Sequence, residues 1–138
     1  MKNILLTVLL IIPSMALSQS DSELALASMA KEVEQSSCGK KMDYKKLFSL
    51  SVSGQYKGVA SSEWLSEINE TAFFKCPEGF LMSLSLAPAV EQDEVLRYFG
   101  IVNPPWDIAA ALEPYEENHE LSSFVKSKLG GFKNIPKP

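Results

Sequence analysis

The chain is short of the side chains that most often perform chemistry. It has one histidine, His119, and two cysteines, Cys38 and Cys76, among 138 residues. One His and two Cys cannot complete a tetrahedral zinc site without carboxylates. A Ser-His-acid triad would rest on His119, which sits in the polar run Glu116-Glu117-Asn118-His119-Glu120 and reads as a solvated helix start. No glycine-rich phosphate loop is present. Ser-x-x-Lys occurs at Ser37/Lys40 and Ser123/Lys126 without the partner motifs that give it meaning. Acids are plentiful, so no carboxylate pair stands out as a hydrolase dyad. The expectation is no enzyme, with no catalytic, cofactor-binding or metal-binding residue.

Long hydrophobic runs are also missing. A membrane-spanning helix needs roughly 20 apolar residues. The apolar run here covers only residues 4–12, interrupted by Thr7. It follows Lys2, is broken by Pro13, and leads to the small-residue site Ala16-Leu17-Ser18, the order of a secretory leader. Residues 1–18 are therefore expected to be a signal peptide, with a mature chain from Gln19 outside the cytoplasm. An uncleaved anchor is the alternative. No cysteine sits at the cleavage point, so lipid anchoring is not expected. In an oxidising compartment the isolated pair Cys38 and Cys76 reads as one disulfide, since two thiols far from CxxC spacing make a poor redox or metal motif. It would tie an early helix to the loop opening at Pro77.

A basic stripe is absent where nucleic acid would need one. Residues 31–57 carry six Lys against Glu32, Glu34 and Asp43, whereas residues 61–125 carry twelve acids against Lys75 and Arg97. Four Lys follow in residues 126–138. The acidic middle excludes nucleic acid as a partner and fits a basic protein surface.

Helical periodicity dominates what is there. Ser20 and Glu23 have capping-box form ahead of Leu26, Met29, Ala30 and Val33, predicting a helix over 22–35. Asp43 caps a second segment reaching Gly54 and Gly58, a spacing that would let another helix approach closely. The run 48–53 alternates Ser with apolar residues, as does 82–86, which is also a strand pattern. Helices are further predicted over 63–70 and 89–99, from Pro105 to Leu112 after the cap Asn103-Pro104-Pro105, and over 116–129. The fold expected is mostly α, a bundle of five or six short helices with one disulfide over residues 19–130. Residues 131–138 form a flexible tail in this reading. The alternative is α+β with a small hairpin from residues 47–53 and 81–87. Trp64, Trp106, Tyr98 and Tyr115 are core packers or interface anchors. Asn69-Glu70-Thr71 is a formal glycosylation sequon.

The succession Tyr56-Lys57-Gly58-Val59, Phe74-Lys75-Cys76-Pro77-Glu78-Gly79, Val95-Leu96-Arg97-Tyr98-Phe99, Pro104-Pro105 and Ala109-Ala110-Ala111-Leu112 resembles the periplasmic immunity proteins that protect bacteria against type VI secretion amidase effectors. The resemblance spans residues 38–113. Ser53 stands where that family often has a cysteine, and its terminal Phe-Pro-Cys is missing. The resemblance implies a small, secreted, helical protein that inhibits a toxic cell-wall amidase and carries no catalytic residues of its own. The expected partner is a basic-surfaced peptidoglycan amidase, with no nucleic acid, no membrane after leader cleavage, and a homodimer as a further possibility. Expected partner-binding residues are Trp106, Glu113, Glu116, Glu117 and Glu120. The second reading is a periplasmic acid-stress chaperone, which would loosen as its acids protonate.

Overall fold

Local capping starts the first two helices where the sequence places them. The Ser20 side chain accepts the Glu23 N–H and opens α1 (Asp21–Glu34), whose Leu26, Met29 and Val33 are buried. The Asp43 carboxylate accepts the Lys46 N–H at 3.0 Å and opens α2 (Tyr44–Val52). The structure, a computed structural model, describes residues 20–40 and 42–138. The expected signal peptide, residues 1–18, lies outside the described residues. The order continues with α3 (Val59–Lys75), α4 (Pro77–Ser85), α5 (Ala89–Arg97) and α6 (Pro105–Leu112). A 3-10 turn (Glu113–Tyr115), α7 (Ser122–Leu129) and a C-terminal 3-10 strap (Gly130–Asn134) complete the chain.

No strand occurs among the described residues, so the hairpin alternative gives way to helix. The reason is visible in the serines. Ser49 Oγ donates to the Lys46 carbonyl, Ser53 Oγ to Leu50 and Ser85 Oγ to Met82, each within its own helical turn. A strand would bury Phe48, Leu50 and Val52 together; instead Leu47, Phe48 and Ser51 are buried and Val52 faces water. The predicted helix through Gly54 and Gly58 is corrected as well. Helix α2 ends at Val52, Gly54 takes a left-handed turn at φ 73°, and Gly58 is the N-cap of α3. A glycine that does admit a close neighbour is Gly79, where an added Cβ would meet Tyr44 Oη at 2.8 Å.

Helix α3 is the axis of the bundle and is longer than the predicted 63–70. It packs on α1 and α4, and α2 packs on α4 and α5. Phe80 sits at the centre of an aromatic cluster, with Phe48 at 5.3 Å, Phe73 at 5.8 Å and Phe99 at 5.7 Å between ring centroids. Cys76 both ends α3 and caps α4. It forms the disulfide with Cys38, Cα atoms 5.0 Å apart, which ties the end of the α1 loop to this junction. Beside it the Lys75 ammonium donates to the Glu34 carbonyl at 2.6 Å.

The last third differs most from the prediction. Residues 116–121 are turns rather than helix, and α7 starts only at Ser122. The expected flexible tail, residues 131–138, is also revised in part. Gly130–Asn134 winds as a 3-10 strap that folds back on α6 and α7. Its Phe132 ring packs edge-on to Phe99 at 5.9 Å and supplies the apolar contact that periodicity alone does not reveal.

Candidate functional site

Two neighbouring polar residues inside α3 determine where the candidate surface stands. Glu70 is fully buried, and its carboxylate accepts from Ser66 Oγ and from the backbone N–H groups of Val102 and Asn103, each at 3.1 Å. Asn69, also fully buried, donates to the Tyr98 carbonyl at 3.2 Å and to Ser51 Oγ at 3.3 Å. Together they pin the chain between α5 and α6 at both ends. Buried carboxylates hold such positions when their oxygens are saturated with donors. Burial also removes Asn69 from consideration as an accessible glycosylation site. No signal short of the fold itself marks Glu70 out, because two of its three donors are backbone groups from a loop 32 and 33 residues further on.

From that anchored loop, Pro104 and Pro105 start α6 and set Trp106 on its first turn. Ile108 and Leu112 face the core, which leaves Trp106, Ala109 and Ala110 on the outer side. A cleft of about 650 Å³ runs along this side. Trp106 of α6 and Glu113, Glu116 and Glu117 of the turns that follow it line one side, and Phe132 and Lys133 of the strap, with Ile135 just after it, line it too. Four of the five expected partner-binding residues thus converge. Glu120 is exposed and does not line the cleft.

Glu116 is not the surface acid its polar surroundings in sequence predict. It is 7% exposed and forms an ion pair with Lys133. The hydrogen bond that Lys133 donates to Glu116 holds its ammonium above the ordinary pKa against a smaller opposing effect of burial, and the charges of Glu116, Glu117 and Glu113 add to the rise. Among the described residues Glu113 and Glu117 make no ion pair of their own. The cleft therefore holds three carboxylates against one ammonium and keeps an excess of negative charge beside an indole. Such a setting recognises cations and aromatic or aliphatic side chains.

His119 lies nearby in the turn before α7 rather than in a helix start. Its Nδ1 accepts the Leu121 N–H at 3.1 Å, which places the proton of the neutral ring on Nε2, 3.6 Å from Glu78 Oε1. The ring meets Tyr115 edge-on at 5.1 Å. Burial, then the Glu78 charge, raises the Tyr115 phenol above its usual pKa. Ser122 Oγ accepts the His119 backbone N–H and does not approach the imidazole as a nucleophile would. No three His, Cys, Asp or Glu side chains among the described residues gather as a metal site.

A second concavity was not anticipated. A groove of about 870 Å³ lies over α2, α4 and the start of α5, lined by Met42, Tyr44, Phe48, Met82, Leu86 and Pro88 among others. Asp43, Lys45 and Glu91 also line it. Three helices contribute to it, so no single stretch of sequence announces it. Trp64, by contrast, packs against the core, as one of its two readings had it.

No helix among the described residues is long and apolar enough to cross a membrane. No protein-family model matches the chain, and no curated protein or solved structure matches it either.

Proposed function

We propose that this protein is a periplasmic inhibitor of the immunity type, which binds a basic-surfaced cell-wall amidase and blocks its active cleft. The observation that carries the reading is the acidic cleft, where Trp106 stands beside Glu113, Glu116 and Glu117 on a bundle braced by a disulfide. A cleft of one charge sign gives fast, selective association with the opposite sign. An indole in its lining is the residue type that dominates interface energetics. The motif order and the leader-like start point the same way.

The test begins with the mature chain tagged and expressed in the periplasm of its own host. One near-stoichiometric hydrolase at neutral pH is the expected result. Reversing Glu113 and Glu117 to Lys should then weaken binding at least about tenfold and chiefly slow association, while Glu120→Lys changes it little. Unchanged binding in the double reversal would remove this interface from the argument.

The apolar groove favours a second reading, an acid-stress chaperone that holds apolar segments of other proteins. Methionine-lined surfaces adapt to varied partners, and Met42 and Met82 line this one. Constant fluorescence of a hydrophobic dye between pH 7 and pH 3 would count against it. A mixture of clients appearing only after acid treatment would replace the first reading with this one.

A further inference from the structure

The C-terminal strap closes one side of the acidic cleft, laid against α6 and α7 in the manner of a bound peptide. Lys133 supplies the counter-ion of Glu116, a carboxylate that is 7% exposed. Phe132 drops its ring over Gly100, where an added Cβ would lie 2.6 Å from two ring atoms. Gly100 has φ 78°, so the chain both turns left-handed there and leaves the slot empty for the ring. Ile135 lines the remainder of the cleft. The sequence 132–135 thus presents an aromatic, a cation and an apolar side chain to one concave surface.

The attachment of this segment differs from its packing. It is joined to α7 by Gly130-Gly131, and an added Cβ at either glycine would meet nothing within 4 Å. Gly130 has φ −59°, which any residue adopts. Neither position is glycine for steric fit. What two successive glycines confer is backbone freedom, and here it lies at the root of the strap. Swinging the strap away would leave Glu116 without its cation, an arrangement that favours either closing again or capturing another cation.

Building on the reading of the cleft as the partner site, we infer that the cleft takes a protein segment in which an aromatic residue precedes a basic one. Residues 132–135 form the resident wall that pairs with Glu116 and are displaced when the partner binds. Lys133 stands in for the partner's Lys or Arg, and Phe132 for its aromatic side chain. Intramolecular tethering gives the strap an effective concentration in the millimolar range. The closed form therefore rejects weak basic peptides and yields only to a segment that adds contacts elsewhere on the surface.

The experiment uses the full mature chain with Trp64→Phe, which leaves Trp106 as its only indole. The probe is a synthetic peptide with the sequence of residues 130–138. Wild-type strap should exclude it, whereas Lys133→Glu, which sets a carboxylate against Glu116, should bind it at least about tenfold more tightly by Trp106 fluorescence. Lys133→Gln serves as the milder variant should the reversal disturb folding. A peptide carrying Glu in place of its own lysine should not bind. Separately, Gly130→Ala with Gly131→Ala should slow amide exchange of residues 131–135 several-fold without altering that of α7. Equal peptide binding in wild type and variants, no binding in either variant, or unchanged exchange in the alanine pair would each overturn the inference. The partner assay is independent. Peptide capture by Lys133→Glu without tighter binding of a co-purified hydrolase would keep the displaceable strap and remove the cleft from the immunity reading.

Discussion

The apolar groove over α2, α4 and α5 and the acidic cleft over α6 rest on different physics. Behind the groove, Phe80 touches Tyr44, Phe48, Phe73 and Phe99, and those rings also touch in two pairs, Tyr44 with Phe48 and Phe73 with Phe99. The disulfide closes the same region from outside. The far wall of the cleft hangs on one ring, Phe132, and one ion pair, Glu116 with Lys133. Interlocked rings cannot move singly, because each vacated volume leaves its neighbours short of contacts. A wall held by one ring and one surface ammonium can move as a unit. The firmly braced surface and the lightly held surface of this bundle are therefore separate, and the acidic one is lightly held.

The largest effects should come from the braced region. Phe80→Ala should lower stability by about 3–5 kcal/mol, the range for deleting a fully buried aromatic ring. Phe132→Ala, at a half-buried position on the strap, should lower it by about 1 kcal/mol. Urea unfolding with an unchanged denaturant slope checks both. Equal losses in the two variants would break the contrast. Reducing the disulfide should remove about 4 kcal/mol in the chain-entropy model for a sequence separation of 38 residues. That loss should appear as a fall in the urea midpoint with dithiothreitol, while the Trp106 environment in the folded protein stays as it was.

Glu70 links the two regions and gives the next effect. In Glu70→Gln the amide turns a donor toward backbone N–H groups that now find an acceptor. Losing charge-assisted bonds of this kind costs about 2 kcal/mol. The loss should be local in its structural effect: faster amide exchange at Val102 and Asn103, and a shifted Trp106 spectrum, since that loop places α6. Unchanged exchange at both amides would mean the carboxylate does not hold the loop.

Much of this arrangement can be read from the chain, and the parts that cannot share a cause. Caps Ser20 and Asp43, the prolines opening α6, and the pair Cys38 and Cys76 act over a few residues or by elimination, so their effects are legible, whereas Pro77, which reads as opening a loop, opens α4. The alternation in 48–53 misleads, because serine hydroxyls bonding one turn back suit a helix as readily as a polar face suits a strand. The acids of the run 113–117 locate the cleft, and Trp106 joins them in its lining. Which acid is buried is not legible, since Glu116 differs from Glu117 only through Lys133, whose position depends on how the strap folds back. Glu70 is hidden for the same reason, its partners being loop amides brought in by the tertiary fold.

The smallest effect expected is alkaline, and it separates the strap from the rest. Lys133 holds its proton above the ordinary 10.5, chiefly through the Glu116 hydrogen bond. Burial raises Tyr44, Tyr56 and Tyr115 above the ordinary 10.0. In each case the folded state retains a proton that the unfolded chain releases first. The unfolded state then binds fewer protons, so stability falls as pH rises. The contribution of these groups is intact below about pH 10 and is lost as pH climbs through their raised values. The urea midpoint should accordingly be level on the neutral side of pH 10 and decline above it. In the Trp64→Phe background, Trp106 fluorescence should report strap release in the same range, and Lys133→Gln should abolish that fluorescence step while leaving the tyrosine-driven decline in place. A fluorescence step that survives Lys133→Gln would show that the two walls of the cleft part for some reason other than loss of the ammonium.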